Sequence, residues 1–170
     1  MKISLVDPAD ERVKSILEQH LVEMYATSPA ESVHALDVGG LQHSDISFYV
    51  GEDDGGVLAC GALKRLGTYE GELKSMRTVE TARGRGLASA MLEYLLAVAR
   101  SRGYRVLRLE TGSEDYFAPA RRLYARHGFI VGEPFADYLP DPHSVYMHLP
   151  VGDRAASSGA SLGDGGICEG

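Results

Sequence analysis

Cysteine is almost missing from this 170-residue chain: only Cys60 and Cys168 occur, in no Cys-x-x-Cys pair and beside no histidine cluster. That excludes a disulfide framework and a cysteine-based zinc site. The six histidines form no His-Glu-x-x-His spacing either, so no metal is expected. No apolar run approaches the about 18 residues that a membrane-spanning helix needs. The opening stretch MKISLVDPADERVKSILEQH meets charges before any long apolar run, so it does not read as a signal peptide. Basic residues are the minority, 17 Lys and Arg against 24 Asp and Glu, which argues against a general nucleic-acid binder. What is present is ordinary for a globular protein, with 44% apolar and 24% charged residues. A soluble, cytoplasmic protein with one domain over residues 1–150 is expected. Residues 151–170 are rich in Gly and Ser and poor in large apolar side chains, and read as a flexible tail.

Periodicity then orders the elements. Ile3 to Val6 reads as a short strand, and Val13, Ile16, Leu17, His20, Leu21 and Met24 recur at helical spacing. Ser28-Pro29, with Glu31 three residues after Ser28, predicts a second short helix with a capping box, ended by Gly39-Gly40. Ile46 to Val50, Val57 to Leu63 and Glu72 to Val79 are strands joined by short turns, hence antiparallel. Leu87 to Ala99 carries a wide apolar helical face that stops at Gly103. Val106 to Leu109 follows, so the strands around 75 and 107 form a βαβ unit and run parallel. A helix from Pro119 to His127 and strands at 129–131 and 145–149 complete the chain.

The stretch that carries chemistry is Arg83-Gly84-Arg85-Gly86-Leu87-Ala88, between a strand and the start of the long helix. Small residues there leave backbone N–H groups open, and the helix dipole adds about half a positive charge. Such a site suits a phosphate or pyrophosphate; taken alone, the run is equally a flexible Gly-Arg loop. It lacks the lysine and hydroxyl of a P-loop and is no GxGxxG fingerprint. Charge is also uneven. Residues 83–126 hold nine Arg against four acidic residues, while residues 1–60 hold eleven acidic residues against Lys2, Arg12 and Lys14. A basic half for an anionic cofactor and an acidic half for a cationic amine is one reading; solvated helix faces are the other.

Strand, R-x-x-G-x-A, long amphipathic helix, strand, helix and strand together resemble the GNAT acetyltransferase family. The resemblance covers most of residues 1–150 in element order and is sharpest from Glu72 to Phe129, where ELKSMRTV precedes RGRGLA and ARRLYARHGF follows. It implies an α/β fold: a mixed central sheet of about six to seven strands, about four flanking helices, and a splayed strand at the cofactor site. It implies acetyl-CoA as cosubstrate, with Arg83, Gly84, Arg85, Gly86, Leu87, Ala88 and Ser89 at the pyrophosphate. Met76, Arg77 and Thr78 would meet the pantetheine through their backbone, and a backbone N–H near Met76 would hold the oxyanion. Tyr124 would protonate the leaving thiolate, and Glu72, eleven residues before Arg83, would be the general base. Packing of the Tyr124 ring and a surface position for Glu72 are the structural alternatives.

One departure stands out: many family members carry Asn seven residues before the tyrosine, and this chain has Phe117. Ser32, His34 and Asp37 on the short second helix, with Tyr138 before the last strand, would contact the acceptor. The implied activity is acetyl transfer to a primary amine of a small molecule, peptide or protein by direct attack, neither cysteine having a nucleophile's setting. A non-catalytic CoA-binding sensor of the same fold is the alternative. An Arg-rich nucleic-acid module over Arg100 to Arg126 conflicts with the acidic total. Exposed sheet edges could pair two copies into a homodimer.

Overall fold

The computed structural model describes residues 1–152. Seven strands make one sheet: β1 (Lys2–Leu5), β2 (Ile46–Asp53), β3 (Gly56–Arg65), β4 (Glu70–Thr78), β5 (Val106–Gly112), β6 (Ile130–Gly132) and β7 (Ser144–Pro150). Their spatial order is β1-β2-β3-β4-β5-β7-β6. Short turns force β2, β3 and β4 into antiparallel pairing, and β1 pairs antiparallel with β2 after the chain returns through α1 (Glu11–Thr27). The crossover helix α3 (Leu87–Ser101) makes β4 and β5 parallel, as the βαβ spacing requires. The expected mixed sheet is therefore present, with seven strands and four α-helices among the described residues.

The helices lie on both faces. Along β2, Phe48 and Val50 join one buried cluster with Val13, Ile16 and Leu17 of α1 (Glu11–Thr27), while Tyr49 joins the other. That second cluster holds Met91, Leu92, Leu95, Leu96 and Ala99 of α3 and Leu123 and Tyr124 of α4 (Ala118–Arg126). The period-2 alternation of the strand thus sends neighbouring side chains to opposite helical layers. Each fully buried Leu or Met of α3 contributes about 1.5–3 kcal/mol.

Three local expectations are corrected. Ser28 does not cap a second helix; its N–H donates to Met24 O and ends α1. Residues 30–32 form only a single 3₁₀ turn. Gly39 and Gly40 do not terminate a helix but lie inside α2 (Val38–Leu41), because the Asp37 carboxylate accepts from the Gly40 N–H at 2.8 Å. His34 and Asp37 therefore share no helix face. Val151, placed in the expected tail, is buried and donates its N–H to Arg105 O. Residues 153–170 of that expected tail, with Cys168, lie outside the described residues.

β4 and β5 pair over only four residues each, Glu70↔Val106 to Leu73↔Leu109. Beyond Leu73, a bulge against β3 falls between the Cys60 and Ala62 positions, and Ser75 adopts a left-handed φ of 53°. Gly61 lies opposite. A Cβ there would come within 2.7 Å of Met76 Sδ and 2.8 Å of Leu95 Cδ1. Gly61→Val is expected to lose about 1–3 kcal/mol by overpacking, read as a lower Tm in a thermal melt. An unchanged Tm would show that the bulge tolerates a side chain at this point.

Candidate active site

Where β4 and β5 part, a cleft of about 690 Å³ opens between them. Lys74 to Thr78 line one wall and Glu110 to Gly112 the other. The sequence explains the opening. β4 remains paired to β3 and β5 to β7, so each strand keeps one satisfied edge while the inner edges face the cleft. Three buried polar atoms on the bulged segment, Ser75 Oγ, Arg77 Nε and Thr78 Oγ1, have no hydrogen-bond partner among the described residues. Buried groups of this kind cost free energy unless a ligand or water satisfies them.

One end of the cleft is the loop before α3. Gly84 and Gly86 hold φ of 76° and 77°, and a Cβ on either would meet nothing within 4 Å. Gly86 is the N-cap of α3 and supplies no side-chain cap, which leaves first-turn amides open to a ligand. Arg83, Gly84, Gly86, Leu87, Ala88 and Ser89 all line this end. Arg126 joins them from α4. The side chain of Arg85, by contrast, is exposed and lines no part of the cleft. Ser89 Oγ lies 2.9 Å from His127 Nε2, tying the start of α3 to the end of α4. These residues fit a pyrophosphate: a concave backbone, a helix N-terminus and two flanking guanidinium groups.

Arg77 does more than its backbone role required. Its buried guanidinium donates to both Glu23 oxygens, at 2.5 and 2.7 Å. Glu23 also accepts from Tyr116 in the 3₁₀ turn after β5 and pairs with Arg83 at 3.4 Å. Hydrogen bonding from Arg77 pulls the Glu23 carboxyl down to about 2. His20, one turn earlier on α1, is buried on the same wall. Burial and the Arg77 charge push it down to about 4.

The other end holds the titrating groups. Tyr124 is 7% exposed and lines the cleft, its hydroxyl without a hydrogen-bond partner among the described residues. Burial, helped by the charge of Glu110, holds that phenol above its ordinary value and keeps the proton on it. Glu110 faces it across the β5 wall and accepts from Ser144 Oγ at 2.7 Å. Burial pushes the Glu110 carboxyl up to about 7, against the opposing pull of Ser144 and Lys74. Sequence reading missed Glu110; an acid inside the apolar strand VLRLETG was the one available signal. Phe117, at the family's usual Asn position, is buried against Gly112. Cys60 is buried, and burial pushes its thiol up to about 12, which suits no nucleophile.

Glu72 and Tyr138 sit elsewhere. Glu72 is 1% exposed and lines a second cavity of about 660 Å³, not the cleft. Its Oε1 accepts from Lys74 Nζ at 3.0 Å and from Tyr138 Oη at 2.6 Å, and Lys74 also donates to Tyr138 Oη at 2.7 Å. Ser32 and His34 line both cavities. Asp37 lines neither, being occupied as the cap of α2.

Among the described residues, no helix is long and apolar enough to cross a membrane. The model of the acetyltransferase (GNAT) family matches residues 12–129. The chain is 44% identical over 147 residues to the uncharacterized N-acetyltransferase YsnE of Bacillus subtilis (strain 168), covering 86% of this chain and 97% of that one. It is 40% identical over 137 residues to an IAA acetyltransferase of Azospirillum brasilense, covering 79% and 86%. Among solved structures, an aminoglycoside 6'-N-acetyltransferase complexed with coenzyme A superposes with a TM-score of 0.69 at 15% identity, covering 92% of this chain and 100% of that one.

A histidine held neutral by burial makes stability depend on pH. Unfolded His20 takes up its proton near its ordinary value of 6.5, whereas folded His20 does so only near 4. The stabilisation is therefore complete above about pH 6.5 and is lost as pH falls toward 4. Between those limits a His20→Gln variant should lose less stability than the parent in urea melts. Parallel curves would show that His20 is not buried neutral.

Proposed function

The chain belongs to the GNAT acetyltransferase family and is an acyl-CoA-dependent N-acyltransferase; on that footing we propose that it moves an acetyl group from acetyl-CoA to a primary amine of a small molecule by direct attack. The observation that carries this reading is one cleft with an anion cradle at one end and the Glu110–Tyr124 pair at the other. Acetyl-CoA supplies the activated acyl group as a thioester. The amides of the Gly84–Ser89 loop, with Arg83 and Arg126, hold its pyrophosphate. The backbone of Met76, Arg77 and Thr78 and the orphan hydroxyls of Ser75 and Thr78 hold its pantetheine arm, and a backbone N–H near Met76 meets the developing oxyanion.

An alkyl ammonium loses its proton near pH ~10, so the site must remove one before attack. Glu110 takes that role in preference to Glu72. Its carboxyl faces the cleft and titrates at about 7, while Glu72 is held by Lys74 and Tyr138 behind the wall. The freed amine forms the new C–N bond to the acetyl carbon and the C–S bond breaks. Tyr124 gives its proton to the leaving thiolate, the proton shed by the new amide nitrogen restores the phenol, and Glu110 releases to solvent the proton it took. Glu72 acts as a positioning residue, holding Lys74 at the cleft wall.

The test is calorimetric titration with acetyl-CoA followed by thiol-release kinetics on a panel of amines. Tyr124→Phe should lower kcat by about 10²–10⁴-fold, the range for a lost general acid, with acetyl-CoA affinity kept. kcat/KM should rise through pH about 7 as Glu110 becomes deprotonated, and Glu110→Gln should abolish that limb. Absence of acetyl-CoA binding overturns the reading. Binding with no turnover of any amine points to a CoA-binding sensor.

A further inference from the structure

Lys74 is the charged side chain on the cleft wall that the chemistry above leaves without a task of its own. Its side chain is 10% exposed, and burying an ammonium is costly unless its N–H groups are met. An ammonium has three such donors. One goes to Glu72 Oε1 at 3.0 Å and one to Tyr138 Oη at 2.7 Å. The third has no partner among the described residues, and Lys74 lines the cleft.

Register places this donor beside the base. Leu73 and Leu109 are the last paired residues of β4 and β5, and both side chains join the cluster with α3. Alternation turns the next residue of each strand, Lys74 and Glu110, to the opposite face, side by side where the strands part. Paired strands lie about 4.8 Å apart, and the gap widens from there. The two charges form no ion pair across it among the described residues. Each has other partners, Ser144 for Glu110, and Glu72 and Tyr138 for Lys74.

The other charges lining the cleft are engaged. Glu23 and Arg77 bind each other, and Arg83 and Arg126 lie at the pyrophosphate end. The chemistry end is left with one carboxylate and one ammonium. Glu72 does not cancel that ammonium on the cleft side. Burial moves Glu110 and His34 most, but of the charges acting on them Lys74 counts for more than Glu72. His34, held neutral by burial and by Lys74, adds a ring N–H donor on the same wall.

We propose that the acceptor is an α-amino acid: Glu110 receives its amine, and the free N–H of Lys74 receives its carboxylate. The inference rests on the acetyl-transfer reading above and adds to it the class of acceptor. One carbon separates amine from carboxylate in such a molecule, which matches a base and a cation on neighbouring strands. Its carboxylate completes the hydrogen bonding of a buried ammonium, and bonds of that kind are among the strong ones. Met24, Val33 and Ala35 line the same cleft and offer the side chain an apolar surface.

The experiment compares each amino acid with the amine that keeps its side chain and lacks its carboxylate. The pairs are L-alanine with ethylamine, L-leucine with isopentylamine, and L-phenylalanine with phenethylamine. Each compound is titrated by calorimetry into CoA-saturated protein and assayed for kcat/KM with acetyl-CoA. In at least one pair the acid should exceed the amine by about tenfold or more on both readouts, the scale of one charge-assisted hydrogen bond. Lys74→Met alone leaves Glu72 buried and unpaired, so it is combined with Glu72→Gln, and a native-like thermal melt checks the fold. In that variant the acid-to-amine ratio should fall close to 1. No preference for the acid in any pair overturns the proposal on the parent protein alone, and so does a preference that survives in the variant. Titration with acetyl-CoA on the same samples reports separately: if it fails, the acetyl-transfer reading falls whatever the acceptors do.

Discussion

The interaction on which the rest of the molecule depends is one that stops: the parallel pairing of β4 and β5 ends after Leu73 and Leu109. Had it continued, two strands would have satisfied each other's backbone and left no groove. The arrest is built locally. Ser75 bulges β4 at a left-handed φ, and Gly61 on β3 leaves the space that Met76 then fills. It is also held from outside, because Arg77 is tied to Glu23 on α1 by two hydrogen bonds. Glu23 reaches further, to Arg83 before the anion loop and Tyr116 beyond β5, so one carboxylate fixes four segments around the cleft. Arg77 Nε, Ser75 Oγ and Thr78 Oγ1 have no partner among the described residues, and a buried polar group without one costs free energy. That cost marks the segment as a place for a ligand's polar atoms.

Much of this was legible in the sequence wherever the cause is local. The wide apolar face of Leu87 to Ala99 and the glycines before it are short-range signals, and both α3 and the loop appear where their pattern puts them. The βαβ spacing gave the parallel pair for the same reason. Chain-terminating signals fared worse. Ser28-Pro29-x-Glu31 has the composition of a capping box, but α1 runs to Thr27 and Ser28 serves as its C-cap. Gly39-Gly40 reads as a stop until Asp37 is seen capping them into a short helix. In both cases a neighbouring segment outcompeted a pattern worth about 1 kcal/mol.

The carboxylates show the limit most clearly. Glu72 and Glu110 are both acids within apolar strands, and a single sequence offers no means of ranking them. Their difference arises from partners that are distant in the chain. Lys74 and Tyr138, 66 residues after Glu72, enclose the first, whereas Ser144 alone holds the second. The carboxylate of Glu72 is bonded to a cation and a phenol, while Glu110, with only a hydroxyl partner, is pushed up to about 7 by burial, where it can gain and lose a proton.

The buried Glu72–Lys74 pair is itself expensive, since taking two charges out of water costs several kcal/mol per ion. Packed apolar residues of equal volume would give a more stable wall at this point. What the pair provides instead is a defined charge on each side. It presents a lysine to the cleft, where Lys74 opposes the burial that raises Glu110, and it keeps Glu72 from adding to the negative charge of the second cavity. With Glu72 neutralised, the charged side chains that line that cavity beside it are Glu31, Asp137, Asp141 and Lys64. The wall therefore has two electrostatic faces: Lys74 pulls the Glu110 carboxyl down from one, and Glu72 borders the second cavity on the other.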